Sequence, residues 1–212
     1  MIYEMRTYDL KRGSVREVEK RFAEAYEHRK KHSKLAAFWH TEIGLLNQVV
    51  HLWPYKDLEE RSRIRAVAAK DSNWPPKISE FIVRQQSDIL IPLNCSPEVT
   101  PANVGPFFEM RIYTISPGGL PGIQKIWAEA LEWRLKFGPV VGLFHSEIGA
   151  LNKFIHIWPY KSLNDRMEIR EKAKAPGKWP PHQKSLAEGG GGYELVIQEN
   201  KILMPAAFSP VQ

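Results

Sequence analysis

Tyr3-Glu-Met-Arg-Thr-Tyr8 returns as Phe108-Glu-Met-Arg-Ile-Tyr113, and this echo decides the fold. Working outward, His40-Thr-Glu-Ile-Gly44 returns as His145-Ser-Glu-Ile-Gly149, and His51-Leu-Trp-Pro-Tyr-Lys56 as His156-Ile-Trp-Pro-Tyr-Lys161. Trp74-Pro-Pro76 returns as Trp179-Pro-Pro181. Of the 74 positions from 3 to 76, 31 are identical to their counterparts 105 residues later, with no insertion needed. The chain is therefore an internal duplication, and its two copies report which positions drifted and which were held.

Within one copy, residues 2–10 alternate as a strand does, with Tyr3, Met5 and Thr7 on one face and Glu4, Arg6 and Tyr8 on the other. Gly13 ends it. Ser14 with Glu17 reads as a capping box, and Val15, Val18, Phe22 and Tyr26 follow at helical spacing to about residue 31. Residues 36–43 and 47–55 read as two strands joined at Gly44. Asp57 with Glu60 starts a second helix, Pro75 and Pro76 interrupt the chain, and 82–91 reads as a last strand.

The order strand, helix, strand, strand, helix, strand is the ferredoxin-like arrangement, here α+β and present twice. We expect repeat 1 over 1–92, a linker over 93–106 punctuated by Pro97, Pro101 and Pro106, and repeat 2 over 107–212. The second copy departs in Gly189-Gly-Gly-Gly192, read as a flexible loop before a strand over 193–204. One such unit covers one face of its four-stranded sheet with helices and leaves the other bare. Two can pack by their bare faces into a barrel within one chain.

At 212 residues, 43% hydrophobic and 25% charged, the composition is that of a globular chain. No apolar run reaches membrane-spanning length. Cys95 is the single cysteine, which excludes an internal disulfide and suggests a reducing compartment. The formal charge of +6 invites a nucleic-acid reading, but the densest basic stretch, His28-Arg-Lys-Lys-His-Ser-Lys34, is lost in the second copy and no reader motif accompanies it. We expect no nucleic-acid partner.

Duplication also tests sidedness. Glu4, Arg6 and Tyr8 are held as Glu109, Arg111 and Tyr113, and in the hairpin His40, Glu42, His51 and Trp53 are held as His145, Glu147, His156 and Trp158. The alternate positions drift apolar for apolar, as Tyr3 to Phe108 and Val50 to Ile155. Helix packing tolerates such drift, so the held polar face is expected to line the barrel interior, as a ligand site or as a paired structural network. Two histidines and a carboxylate in each copy also suit a metal, but their spacing matches no specific signature and none is assigned. Arg61 and Arg65, repeated as Arg166 and Arg170, share a helix face and either pair with a nearby carboxylate such as Glu42 or clamp an anion.

The strand Tyr3–Tyr8 with Gly13, the motif His51-Leu-Trp-Pro-Tyr-Lys56, the Arg61 and Arg65 pair and the ending Ile202-Leu-Met-Pro-Ala-Ala-Phe-Ser-Pro210 together resemble the NIPSNAP family, over nearly the whole chain. That resemblance implies the dimeric α/β-barrel fold, shared with small monooxygenases, haem-degrading enzymes and chlorite dismutases. Animal members are mitochondrial and linked to vesicle transport and mitophagy adaptors. The resemblance transfers no catalytic residue, cofactor or haem ligand. The chain opens on a strand-like segment without a targeting extension, so a cytoplasmic location is expected, with a mitochondrial one if the source is a eukaryote.

Two functions remain open. The first is a small-molecule-binding barrel, possible enzyme chemistry of a monooxygenase kind included, with a cavity beside the held polar residues. The second is a scaffold or adaptor with a filled barrel that engages a protein partner or another copy of itself.

Overall fold

The alternation over residues 2–10 becomes β1 (Ile2–Leu10) in the computed structural model, which describes residues 1–181 and 193–212. The Gly189–Gly192 run lies outside the described residues. The remaining elements are α1 (Val15–Arg29), β2 (Ala37–Ile43), β3 (Gln48–Tyr55), α2 (Leu58–Ala68) and β4 (Ile82–Pro92), then β5 (Phe107–Ile115), α3 (Leu120–Leu135), β6 (Gly142–Ile148), β7 (Lys153–Tyr160), α4 (Leu163–Lys174) and β8 (Leu195–Pro205). The duplicated order is the one read from the sequence.

Local chemistry explains most element ends. Asp57 caps α2, its Oδ1 accepting from Glu60 N at 2.8 Å while Glu60 Oε2 accepts from Lys56 N at 2.6 Å. Ser162 and Asp165 repeat the device for α4. Ser14 does not cap α1: its hydroxyl donates to Lys11 O at 2.6 Å, and Glu17 accepts from Arg21 instead. The expected capping box is absent because both of its side chains are engaged elsewhere. In the β2–β3 turn Gly44 has φ +117 and Asn47 φ +57, and Gly149 and Asn152 repeat these angles between β6 and β7. Such values favour glycine and asparagine, which is why both residues are held.

The eight strands close in the order β1-β3-β2-β8-β5-β7-β6-β4. Closure is achieved by exchange between repeats, since β4 pairs with β6 and β2 with β8, all antiparallel. Residues 93–106 run against the barrel: Leu93 and Val99 are buried, Val99 N donates to Tyr3 Oη at 3.1 Å, and Ala102 bridges to Val211.

The barrel's interior is built from the opposite sheet face to the one expected. Tyr3, Met5, Trp39, Val50, Leu52 and Leu90 meet Phe108, Met110, Phe144, Ile155, Ile157 and Leu203 in one apolar cluster drawn from both repeats. Tyr8, Trp53 and Phe38 instead pack with Val18 and Phe22 of α1, and Tyr113, Trp158 and Leu143 with Ile123 and Trp127 of α3. Glu4, Arg6 and Tyr8, with their second-copy counterparts, therefore lie between sheet and helices. The physical reason is that two sheets packed face to face also need only apolar character and volume, so drift marks the barrel core as readily as a helix interface. What drift cannot satisfy is the charged network beneath the helices.

Candidate functional site

Antiparallel pairing sets Arg6 opposite His51 and Glu4 opposite Trp53, so β1 and β3 present one polar cluster to the overlying helices. Glu4 is fully buried. Its Oε1 accepts from Arg61 Nη2 at 2.6 Å, Ser87 Oγ at 2.8 Å and Arg6 Nη1 at 3.0 Å, with Arg65 Nη1 at 3.5 Å. Burial pushes this carboxyl up, but the bonds from Arg61 and Ser87 and the charges of Arg65 and Arg6 together outweigh it and hold the group at about 2. Arg61 and Arg65 thus come from α2 to pair with Glu4, not with Glu42, which is exposed.

Beside this network lies a cavity of about 560 Å³ between the first repeat's sheet and helices. Its walls carry Arg6, Arg29 and Arg65, the aromatic rings of Tyr8, Phe22, Trp53, Tyr55 and Trp74, and His51. No Asp or Glu among the described residues lines it. Arg29 is buried, donates through Nη2 to Tyr55 Oη at 3.0 Å, and sits over the Trp53 ring at 4.7 Å and the Trp74 ring at 5.7 Å. Arg6 donates through Nε to Tyr8 Oη at 2.7 Å, which orients its guanidinium.

His51 is buried, and burial together with the charge of Arg6 drives it down to about 3, so it is a neutral imidazole. Trp53 Nε1 donates to its Nδ1 at 2.6 Å. The proton of the neutral ring is therefore on Nε2, a buried donor with no hydrogen-bond acceptor among the described residues.

The second copy repeats the constellation. Arg111 and Arg166 donate to Glu109 Oε1 at 2.9 and 2.5 Å, and Arg170 lies 3.6 Å from Oε2. Burial raises the Glu109 carboxyl and these arginines outweigh it, so the net shift is downward. Trp158 Nε1 donates to His156 Nδ1 at 2.6 Å. The corresponding cavity, lined by Arg111, Tyr113, His156, Trp158 and Arg170 among others, is smaller, about 280 Å³.

Not every residue singled out from the sequence belongs here. His40 Nδ1 pairs with Glu19 Oε1 of α1 at 2.7 Å, and that bond raises its pKa against the opposing effect of burial. Glu42 and Glu147 are exposed, and neither they nor His40 and His145 line either cavity. Among the described residues no three His, Cys, Asp or Glu side chains converge to hold a metal. Glu4 and Glu109 stand behind the walls as partners of the lining arginines, and Arg61 and Arg166 bind the same two carboxylates. Sequence reading missed Arg29, Tyr55, Trp74 and Gln85, although Arg134, Tyr160, Trp179 and Gln198 preserve them in the second copy. The same duplication test would have found Arg29, Tyr55 and Trp74, whereas Gln85 matches Gln198 only through the strand register beside Tyr8 and Tyr113.

A further cavity of about 380 Å³ opens at one end of the barrel, between the two repeats. Its polar groups are largely matched to one another: Lys201 donates to Gln48 at 2.7 Å, Lys153 to Thr114 at 2.7 Å, and Gln86 to Asp88 at 2.8 Å.

Comparison with known proteins agrees with this architecture. A sequence model of the NIPSNAP family matches residues 3–97 and 108–210. The chain is 30% identical over its whole length to Protein NipSnap homolog 3A of Homo sapiens, of which the match covers 86%. It is 31% identical to Protein NipSnap of Drosophila melanogaster, over 84% of this chain and 65% of that one. In three dimensions it is similar to a solved protein of Fusobacterium nucleatum named for a proposed monooxygenase activity, with a TM-score of 0.65, 11% identity, and 97% and 92% of the two chains covered. That likeness shows the fold alone. No helix among the described residues is long and apolar enough to cross a membrane.

Proposed function

The chain belongs to the NIPSNAP family, and on that premise we propose that it binds a small organic anion bearing an aromatic ring in the cavity between the first repeat's sheet and helices. The observation that carries this reading is the lining: three arginines with no carboxylate among the described wall residues, and two indoles facing the same space. Arginine suits a carboxylate through paired N–H donors, and indole faces suit an aromatic ring. A volume of about 560 Å³ falls within the ordinary range for small-molecule sites, which begins at about 300 Å³. The unmet Nε2–H of His51 adds a neutral donor that remains neutral at physiological pH. No reaction is assigned.

Indole-3-carboxylate is a suitable probe. Saturable heat in calorimetry and a raised thermal midpoint are expected on titration into the full chain. Arg65 is half-exposed, and its replacement by alanine is expected to weaken the complex at least about tenfold, the loss of one charge-assisted hydrogen bond, while the chain stays folded. Absence of saturable binding, or equal affinity in Arg65→Ala, would defeat the reading.

The scaffold reading draws on a different observation, the packed apolar barrel interior. Under it, exposed Leu45, Leu46 and Leu151 at the hairpin tips would meet a protein partner or a second copy of the chain. The single thiol of Cys95 suits a reducing compartment, the cytoplasm, or the mitochondrial interior if the source is a eukaryote.

A further inference from the structure

The two sheet–helix cavities have diverged at the positions that decide what they hold. Trp127 stands in the second where Phe22 stands in the first, and Lys174 stands where Ala69 does. The larger indole takes up room and the lysine adds a cation at the wall. The result is a cavity of about 280 Å³ with four cationic side chains, Arg111, Arg134, Arg170 and Lys174, and no Asp or Glu among its described lining residues.

Arg134 supplies the independent observation. It is 2% exposed, stacks over the Trp158 ring at 4.1 Å, and donates through Nη2 to Tyr160 Oη at 3.2 Å. Its Nη1 has no hydrogen-bond partner among the described residues. In the first repeat the matching Arg29 directs Nη1 to the carbonyl of Ser33 at 3.5 Å, but Gly138 occupies the Ser33 position in the second copy and no such bond forms among the described residues. A buried guanidinium nitrogen left unmet is costly, and an anionic oxygen is its natural partner. Among the described residues, Arg111, Arg166 and Arg170 meet the carboxylate of Glu109, while Arg134 and Lys174 line the cavity without an acidic partner in its wall.

We propose that the second repeat's cavity is a binding site for a small tetrahedral oxyanion, with Arg134 and Lys174 as its direct donors. Its volume lies just under the usual size for organic ligands, and its excess of cations favours a compact, multiply charged guest. The site stands apart from the first cavity, so the two proposals fail separately.

Inorganic phosphate titrated into the full chain by calorimetry tests it. One phosphate per chain is expected. Lys174 is exposed at the end of α4, so Lys174→Ala should fold normally, and it is expected to weaken binding at least about tenfold. Arg65→Ala, which alters only the first cavity, should leave phosphate affinity unchanged. Trp127→Phe with Lys174→Ala should abolish phosphate binding and raise the stoichiometry for indole-3-carboxylate from one to two if the first-cavity reading also holds. The proposal is overturned if the wild-type chain shows no saturable phosphate binding, if Lys174→Ala binds it as well as wild type, or if Arg65→Ala is the variant that loses it.

Discussion

Replacing Glu4 with alanine is expected to lower the unfolding free energy by about 3–5 kcal/mol, the range seen when one member of a buried ion cluster is removed. The carboxylate is fully buried and serves Arg6, Arg61 and Ser87 directly, with Arg65 beside them. Its removal leaves guanidinium groups of like charge close together, with Arg6 held against the sheet by its bond to Tyr8. Arg61 and Arg65 can turn toward water, so the cost centres on Arg6, whose side chain is only 16% exposed. Glu109→Ala should cost a similar amount, because Arg111 and Arg166 form the same contacts there. Urea denaturation of each variant measures the effect. A loss under about 1 kcal/mol would mean that the cluster is not a structural keystone of the sheet–helix interface.

Acidification is expected to remove stability before most carboxylates titrate, and the cause is His51. Its folded pKa of about 3 lies below the ordinary 6.5, so between those values the unfolded chain binds the proton that the folded chain refuses. Stability therefore falls as the pH drops from about 6.5, by roughly 2 kcal/mol at pH 5 and roughly 4 kcal/mol once pH 3 is reached. Glu4 acts in the same direction over a lower window, from 4.5 down to about 2, and adds roughly 3 kcal/mol. His40 has the opposite sign: its raised pKa means that its contribution is complete below 6.5 and is lost as the pH rises above it. The two histidines are thus separable by window. Denaturant titrations at pH 7, 6 and 5 should show a decline that His51→Gln reduces by about 2 kcal/mol at pH 5. A flat profile over that interval would contradict a buried neutral imidazole.

Why some of this was legible in one sequence and some was not follows from what duplication records. Element order was readable because alternation in Tyr3–Tyr8, the cap at Asp57 and the turn glycine at Gly44 each impose a local rule that the structure obeys. The association of Glu4, Arg6, Tyr8, His51 and Trp53 was readable because all five are held and share one face of paired strands. Which side of the sheet that face occupies was not. Apolar drift from Tyr3 to Phe108 is compatible with a helix above it or a second sheet beneath it, and only the closed barrel decides between them. Arg29 escaped notice because it falls within a basic stretch that the second copy loses as a whole, whereas Arg134 keeps its position and α1 turns Arg29 inward onto Trp53 and Trp74. His40 and Glu42 were over-read: they share the strand periodicity of the cluster but lie beyond its reach, one paired with α1 and the other exposed.

The central claim is that ligand chemistry resides under the helices and not inside the barrel. Crystals of the full chain grown with indole-3-carboxylate test it directly. The account predicts the ring in the sheet–helix cavity walled by Phe22, Trp53 and Trp74, with the carboxylate within hydrogen-bond distance of Arg6 or Arg65. Density for the probe among Met5, Leu90 and Lys201 at the barrel's end, with the sheet–helix cavity empty, would contradict it.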